Sequence, residues 1–355
     1  MMEHGADIYT YAKKIGCKPS QIIDFSSNIN FNQPHIKVKN IDGLITRYGD
    51  SSYEDLKKVI ARRYKIKTNK IALFNGATSA IFYLLQSLKN EKVYLYAPLY
   101  GEYEKSISKK AKIIKINRFE KSSVLPAKNS IVIFSNPSTP DGKYYDLQKL
   151  FKVWKKQECT IILDESFIEF ENLKSYRDEI DNYEKLYIIQ SFSKFYSCGG
   201  VRIGAIFSHK KNIKKLKTPL WHLSSFDVAF LTARLKDINF KIKSQKLHKQ
   251  NKQQLKDILV RSKLFNEIFE SDANFFLVKS KKGEKVFNYL LKHKILIRTC
   301  ESFDYLDENY LRFAVKDQQS LQYLAKVFEV KLKWYERPKT FFQNLINRLK
   351  PSKKG

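Results

Sequence analysis

The chain has 355 residues, 43% of them hydrophobic and 29% charged, a globular composition far from the apolar-poor signature of disorder. Lysine and arginine number 66 against 36 aspartate and glutamate, a formal charge of +30. No apolar run reaches the roughly 18 residues of a membrane span, and Met1–Gly5 lacks the basic-then-apolar order of a secretory signal.

The length suggests about two domains. Cys17, Cys159, Cys198 and Cys300 lie far apart with no C-x-x-C pair. They suit reduced thiols in a cytoplasmic protein rather than a disulfide frame or a metal site. A field as positive as this one attracts nucleic acid, acidic membranes or phosphorylated small molecules. The lysines are spread along the chain with no zinc-finger or basic-zipper pattern, so the expectation is solvated faces and no nucleic-acid partner.

Residues 1–40 read as an N-terminal arm that packs with the C-terminal domain. Tyr53–Tyr64 then places Leu56, Val59, Ile60 and Tyr64 on one helical face, and Ser52-x-x-Asp55 has the form of a capping box. Strand-like runs follow at Lys70–Phe74, Val93–Tyr96, Lys112–Ile116, Ser130–Phe134, Thr160–Leu163, Leu186–Gln190 and Arg202–Phe207. Several are continuously apolar, as strands covered on both faces are. Helical patterns, among them Ile81–Leu88, alternate with them. Residues 41–255 are therefore expected to form an α/β domain with a mostly parallel seven-stranded sheet. Residues 256–335 read as a smaller α/β domain, with strands at Ala273–Val278 and Tyr310–Val315 and helices at Gly283–Lys292 and Gln319–Phe328. The tail, residues 336–355, is basic, with Phe341, Phe342, Leu345, Ile346 and Leu349 at helical spacing. That spacing suits a helix docked on its own domain or one lying on a membrane surface.

The chemistry-bearing segments sit where these strands end. Asn75-Gly76-Ala77-Thr78-Ser79 opens a helix after a strand, a place where free backbone N–H groups seat phosphate. Tyr100, beyond Pro98, can stack on a flat ring. Asn136-Pro137-Ser138-Thr139-Pro140-Asp141-Gly142 is a rigid turn. Asp164 ends a strand, where a carboxylate can pair with a protonated pyridine nitrogen. Ser191-Phe192-Ser193-Lys194 follows the next strand, with Arg202 eight residues on. A lysine there can bond a carbonyl cofactor, while Ser191 and Arg202 hold a phosphate.

In this order the segments resemble the fold-type I pyridoxal-phosphate enzymes over roughly residues 4 to 330. The resemblance implies pyridoxal 5'-phosphate as cofactor. It makes Lys194 and Asp164 the catalytic pair, Tyr100 the stacking ring, and Ala77, Thr78, Ser191 and Arg202 the phosphate holders. Tyr48, in Arg47-Tyr48-Gly49-Asp50, is similar to the tyrosine that reaches the partner subunit's cofactor, which implies a homodimer. Within the superfamily, His4-Gly5-Ala6-Asp7, Asp24-Phe25-Ser26-Ser27-Asn28-Ile29-Asn30 and Ile295-Leu296-Ile297-Arg298-Thr299-Cys300 look like segments of the threonine-phosphate decarboxylase family, relatives of the histidinol-phosphate aminotransferases. Leu311-Arg312-Phe313 looks like the superfamily arginine that grips a substrate anion. By that resemblance His4, Asn28, Arg298 and Arg312 line the substrate pocket.

Two positions depart from the superfamily. Thr139 stands where an asparagine usually bonds the cofactor ring's O3' oxygen, and Phe167 stands where aminotransferases usually carry a tyrosine for the same oxygen. The resemblance thus implies a decarboxylase of an O-phospho amino acid, with transamination of a phosphorylated amine as the alternative. A basic binding module that kept only the fold is the contrasting expectation, and the presence of Lys194 speaks against it.

Overall fold

The computed structural model describes residues 5–36, 38, 41–88, 91–120 and 123–330. His4 and the basic tail lie outside the described residues.

The larger body is built on seven strands: β1 (Ile71–Phe74), β2 (Lys92–Ala97), β3 (Lys112–Asn117), β4 (Ile131–Ser135), β5 (Thr160–Asp164), β6 (Leu186–Ser191) and β7 (Gly204–Ser208). They lie in the order β1-β7-β6-β5-β4-β2-β3. The pairs from β3 across to β6 are parallel, and β7 runs antiparallel to both its neighbours. All seven expected strands are present, as a mostly parallel sheet. Nearly every residue of β1, β2 and β4–β7 is buried because helices cover both faces. Ile71 and Leu73 join one apolar cluster and Ala72 and Phe74 the other, the two-residue alternation of a strand.

The topology decides where chemistry can collect. Strands β1, β2, β4, β5 and β6 all end at one edge, and β7 starts there. Ligands bind at that carboxyl edge in open α/β sheets. The connections leaving it are the glycine turn at Gly76, the segment with Tyr100, the Asn136–Gly142 turn, Asp164, and the loop from Ser191 through Lys194 to Arg202.

The smaller body has a four-stranded sheet: β8 (Glu267–Ile268), β9 (Phe275–Lys279), β10 (Arg298–Thr299) and β11 (Tyr310–Ala314), in the order β10-β11-β9-β8. The N-terminal arm packs into its core. Phe25 is fully buried beside Phe313, and Ile23–Asp24 pairs in parallel with Ile295–Leu296. No linker separates the bodies near residue 255. Instead the helix Ile238–Ser262 runs through: Phe240 packs in the larger core and Leu255, Ile258 and Leu259 in the smaller.

One local expectation is corrected. The helix Glu54–Tyr64 is capped by Asp50, whose carboxylate accepts from the backbone N–H of Glu54 at 2.8 Å and of Ser52 at 2.8 Å. Tyr53 takes the left-handed conformation at the helix start (φ 52°), so Ser52 is one residue too early to cap it.

Candidate active site

A cavity of about 590 Å³ opens between the two bodies at the carboxyl edge of the larger sheet. Asn28, Ala77, Thr78, Tyr100, Thr139, Asp164, Ser191, Lys194, Arg202, Arg298 and Arg312 all line it. Eleven of the thirteen site residues named from the sequence are thus brought together. Tyr48 is not among them. It is 82% exposed and lies against Trp221 with ring centroids 4.7 Å apart. His4 is outside the described residues.

One end of the cavity suits a phosphate. The helix Gly76–Ser87 begins there, and its N-cap Asn75 makes no side-chain capping bond, so the first-turn amides of Ala77 and Thr78 remain donors. Gly76 holds φ +81°, and a Cβ on it would sit 2.7 Å from Arg202 Nη2. Glycine is needed for both reasons. Arg202 is steered by bonds from Nη1 to Ser193 Oγ (3.3 Å) and the Gly199 carbonyl (3.2 Å). Ser191 donates its backbone N–H to Ser166 Oγ at 3.1 Å, which fixes the strand end.

The middle holds Asp164 and Lys194. Asp164 is 8% exposed; Oδ2 accepts from the Tyr103 hydroxyl (3.0 Å) and Oδ1 from the Ser166 N–H (2.9 Å). Burial raises its pKa, and Ser166, Tyr103 and Lys194 oppose that rise. A buried carboxylate with only neutral hydrogen-bond donors is set to accept a cationic ring nitrogen. Lys194 is held down to about 8 by burial and by the charges of Arg312 and Arg202, against the pull of Asp164. Tyr100 stands above Thr78, the two hydroxyls 3.4 Å apart.

The far end is cationic. Arg298 and Arg312 are Cα partners on β10 and β11, 3% and 7% exposed. Arg298 donates to Ser302 Oγ at 2.7 Å. Arg312 donates to Thr139 Oγ1 (3.1 Å) and to the Ser26 carbonyl (3.2 Å). With its carboxamide oxygen turned toward that guanidinium, Asn28 accepts from both terminal nitrogens at 3.2 Å. Arg312 Nε is buried without a hydrogen-bond partner among the described residues. Burial first, then the nearby Arg298, pull its pKa down to about 10. Phe167 meets Phe275 edge-on, and Arg312 lies over the Phe275 ring.

Sequence reasoning missed the residues that act through contact. Tyr103 looks like a packing aromatic in the sequence, and only the fold carries its hydroxyl to Asp164. Ser193 was legible inside the Ser-x-Ser-Lys run but becomes distinct from Ser191 through its bond to Arg202. Asp24 organises the arm: Oδ1 accepts from the N–H and Oγ of Ser26 at 2.8 and 2.6 Å. Asn30 then ties the arm to the lysine loop, donating its backbone N–H to the Lys194 carbonyl (3.0 Å) and Nδ2 to the Phe195 carbonyl (2.8 Å).

A phosphate seat, a ring-stacking tyrosine, a buried carboxylate and a lysine of lowered pKa together fit pyridoxal 5'-phosphate. The chain belongs to the aminotransferase class I and II family, whose model matches residues 20–328, and the fold is that of the fold-type I pyridoxal-phosphate enzymes. It is an enzyme that uses this cofactor. Among individual relatives, it is 30% identical to the adenosylcobalamin biosynthesis bifunctional protein CobDQ of Leptospira interrogans over 92% of this chain, but spans only 40% of that protein. It is 27% identical to the putative threonine-phosphate decarboxylase of Caldanaerobacter subterraneus, covering 89% of this chain and 90% of that one. The crystal structure of the histidinol-phosphate aminotransferase from Clostridium acetobutylicum superposes with a TM-score of 0.75 at 30% identity, covering 86% of this chain and 97% of that one.

Proposed function

We propose that the chain decarboxylates an O-phospho amino acid. The observation that carries the reading is Arg312. Its charge is buried, its hydrogen bonds run to neutral oxygens, and Nε has none. A buried cation with no direct ion pair among the described residues calls for an anionic ligand. Arg298 lies beside it on the neighbouring strand. A phospho amino acid brings two anions at once, a phosphate and a carboxylate, which two guanidinium groups can grip together.

The bound cofactor supplies an electron sink for whichever bond of the substrate's α-carbon stands perpendicular to its ring. The chain's residues then decide the outcome by orientation. Ala77, Thr78, Ser191 and Arg202 hold the cofactor's phosphate, Tyr100 covers its ring, and Asp164 keeps its ring nitrogen protonated. Lys194 would hold the cofactor covalently, and its amine, with a lowered pKa near 8, could carry a proton at the substrate's α-carbon. Asn28 steadies Arg312, and Arg298 with Arg312 fixes the substrate by its anions. His4 is assigned to the same pocket by its motif alone. With the phosphate gripped by one guanidinium, the carboxylate would be left free to reorient, which is what decarboxylation requires. Phe167 fits this reading, because it leaves the O3' side of the ring without the tyrosine usual in aminotransferases.

Exposed Tyr48 beside Trp221, with Ile45 and Leu220 74% and 67% exposed nearby in sequence, supports a homodimer in which Tyr48 serves the partner's site. Four free cysteines support a cytoplasmic setting.

The second reading is transamination of a phosphorylated amine, favoured by the relatives named histidinol-phosphate aminotransferase. One assay separates the two. Phosphothreonine and phosphoserine are offered with and without 2-oxoglutarate. Carbon dioxide release independent of 2-oxoglutarate supports decarboxylation. Glutamate formation without carbon dioxide rejects it.

A further inference from the structure

Lys194 sits in residues 192–203, a run of turns and bends between β6 and β7 rather than a helix or strand. This loop is fastened from two sides. On the larger body, the fully buried rings of Phe195 and Tyr196 pack on Phe240, and Phe195 also meets Phe170. The Tyr196 hydroxyl donates to the buried carboxylate of Glu169 at 2.7 Å. Those contacts hold side chains. The lysine's own backbone is held from the other side, by the N-terminal arm.

Asn30 makes that second contact. It is 2% exposed; its backbone N–H donates to the Lys194 carbonyl at 3.0 Å and its Nδ2 to the Phe195 carbonyl at 2.8 Å. Ser197 Oγ returns a bond to the Asn30 carbonyl at 2.7 Å. The backbone N–H of Asn32 donates to Asn30 Oδ1 at 3.0 Å, which keeps the carboxamide nitrogen turned toward the loop. The arm can act as an anchor because the smaller body pins it. The carbonyls of three successive residues, Ser26, Ser27 and Asn28, accept from Arg312 Nη2 (3.2 Å), Lys316 Nζ (2.8 Å) and Asn274 Nδ2 (2.9 Å). Residues 26–30 therefore carry the position of Arg312 across to the lysine loop.

We propose that Asn30 is a positioning residue for Lys194: by clamping the Lys194 and Phe195 carbonyls it keeps the amine aimed into the cavity and out of bulk water. This role rests on Lys194 being the residue that bonds the cofactor. The charged groups facing the amine are Asp164 at its strand end, Arg202 at the end of the loop, and Arg312 and Lys316 from the smaller body. An amine that slips outward leaves three cations, gains water and takes up a proton more readily. Capture of the cofactor needs the neutral amine, so loss of the clamp has a pH signature.

The test is the rate at which cofactor-free protein captures pyridoxal 5'-phosphate, followed by absorbance and fixed by borohydride, from about pH 6.5 to 9.5. In the wild type the rate should rise with a midpoint of about 8. Asn30→Ala removes the Nδ2 donor. Ser197→Gly removes the returning hydroxyl, and glycine accepts that residue's φ of 53° without strain. Both should move the midpoint up by ~0.5 pH unit or more and slow capture at pH 7 about 3-fold, because the neutral fraction below the midpoint falls tenfold per unit. Asn32→Ala removes the bond from Nδ2 to Ser244 Oγ (2.8 Å), leaves the lysine loop untouched and should not move the midpoint. A midpoint unmoved in both clamp variants overturns the proposal, even if capture is slower at every pH, since a merely structural loss thins the folded population evenly. So does an equal shift in Asn32→Ala. An adduct that survives in Lys194→Met overturns the lysine assignment and the proposal with it. Loss of the adduct there, with wild-type midpoints in the clamp variants, overturns the role of Asn30 alone.

Discussion

Lys194→Met is expected to stabilise the cofactor-free protein while abolishing its capture of cofactor. Methionine keeps the length of the side chain and removes its charge. In the fold Lys194 titrates near 8, against 10.5 for an unperturbed lysine. Between those values the unfolded chain binds the extra proton, so the wild-type protein gains stability as pH rises from 8 to 10.5. Below 8 the charged lysine is a full burden. At 1.36 kcal/mol per unit, the burden is about 3 kcal/mol at pH 7 and falls to about 1.4 kcal/mol at pH 9.5. The variant should therefore outlast the wild type in urea at pH 7 by roughly 2–3 kcal/mol, the lower figure allowing for solvent beside a half-buried amine. By pH 9.5 the advantage should have shrunk by about half or more. The measurement is a pair of urea transitions on cofactor-free protein at each pH and at one protein concentration, with borohydride trapping of added cofactor as a companion. An advantage that does not change with pH, or a destabilised variant, would refute the view that burial and the arginines hold this amine down. A borohydride-trapped adduct in the variant would show that another lysine bonds the cofactor.

Asp164→Asn, which keeps shape and removes charge, should lower turnover at least ~100-fold, on the order of 2.7 kcal/mol in the barrier, with cofactor still bound by absorbance. Tyr103→Phe removes one neutral hydrogen bond to that carboxylate and should cost about 1 kcal/mol, a several-fold fall in turnover with no loss of fold by circular dichroism. Arg298→Lys should raise KM for a phosphorylated substrate more than ~10-fold, about 1.4 kcal/mol, and leave cofactor absorbance intact. Arg312→Lys should change the ratio of carbon dioxide to glutamate formed, because a point charge cannot hold a carboxylate's angle as a fork does.

Much of this was legible because the sheet is covered on both faces. Strands such as Ile131–Ser135 and Thr160–Asp164 are apolar throughout and bounded by turn residues, so their ends could be found, and with them the carboxyl edge that carries Asp164 and Lys194. What escaped depends on distant partners. The helix Ile238–Ser262 buries Ser244, His248 and Asn251 midway along its inner face, which breaks the apolar stripe that would have announced it. His248 sits neutral there, its pKa pressed down to about 3 by burial. The buried Arg118–Asp141 pair, 2.6 Å apart, was equally silent. Arg118 also donates to the Thr139 carbonyl at 2.9 Å, so a charge read as one among many instead anchors the turn that aims Thr139 at Arg312.

That last contact ties the departures from the superfamily to the substrate. Thr139 is shorter than asparagine, and its Oγ1 accepts from Arg312 at 3.1 Å, which turns one of its lone pairs toward the arginine. Phe167 offers no hydroxyl at all. The buried cations in and behind the cavity crowd one another: Lys194 and Arg312 are both driven below their ordinary pKa values, and burial depresses nearby Lys316 as well, with Asp164 the buried carboxylate that lines the cavity. Each of those downward shifts is one that a bound anion reverses. On the proposed reading, specificity for phosphorylated, carboxylate-bearing ligands comes from a few desolvated cations at fixed positions and not from the chain's +30, since exposed lysines are screened by solvent and salt.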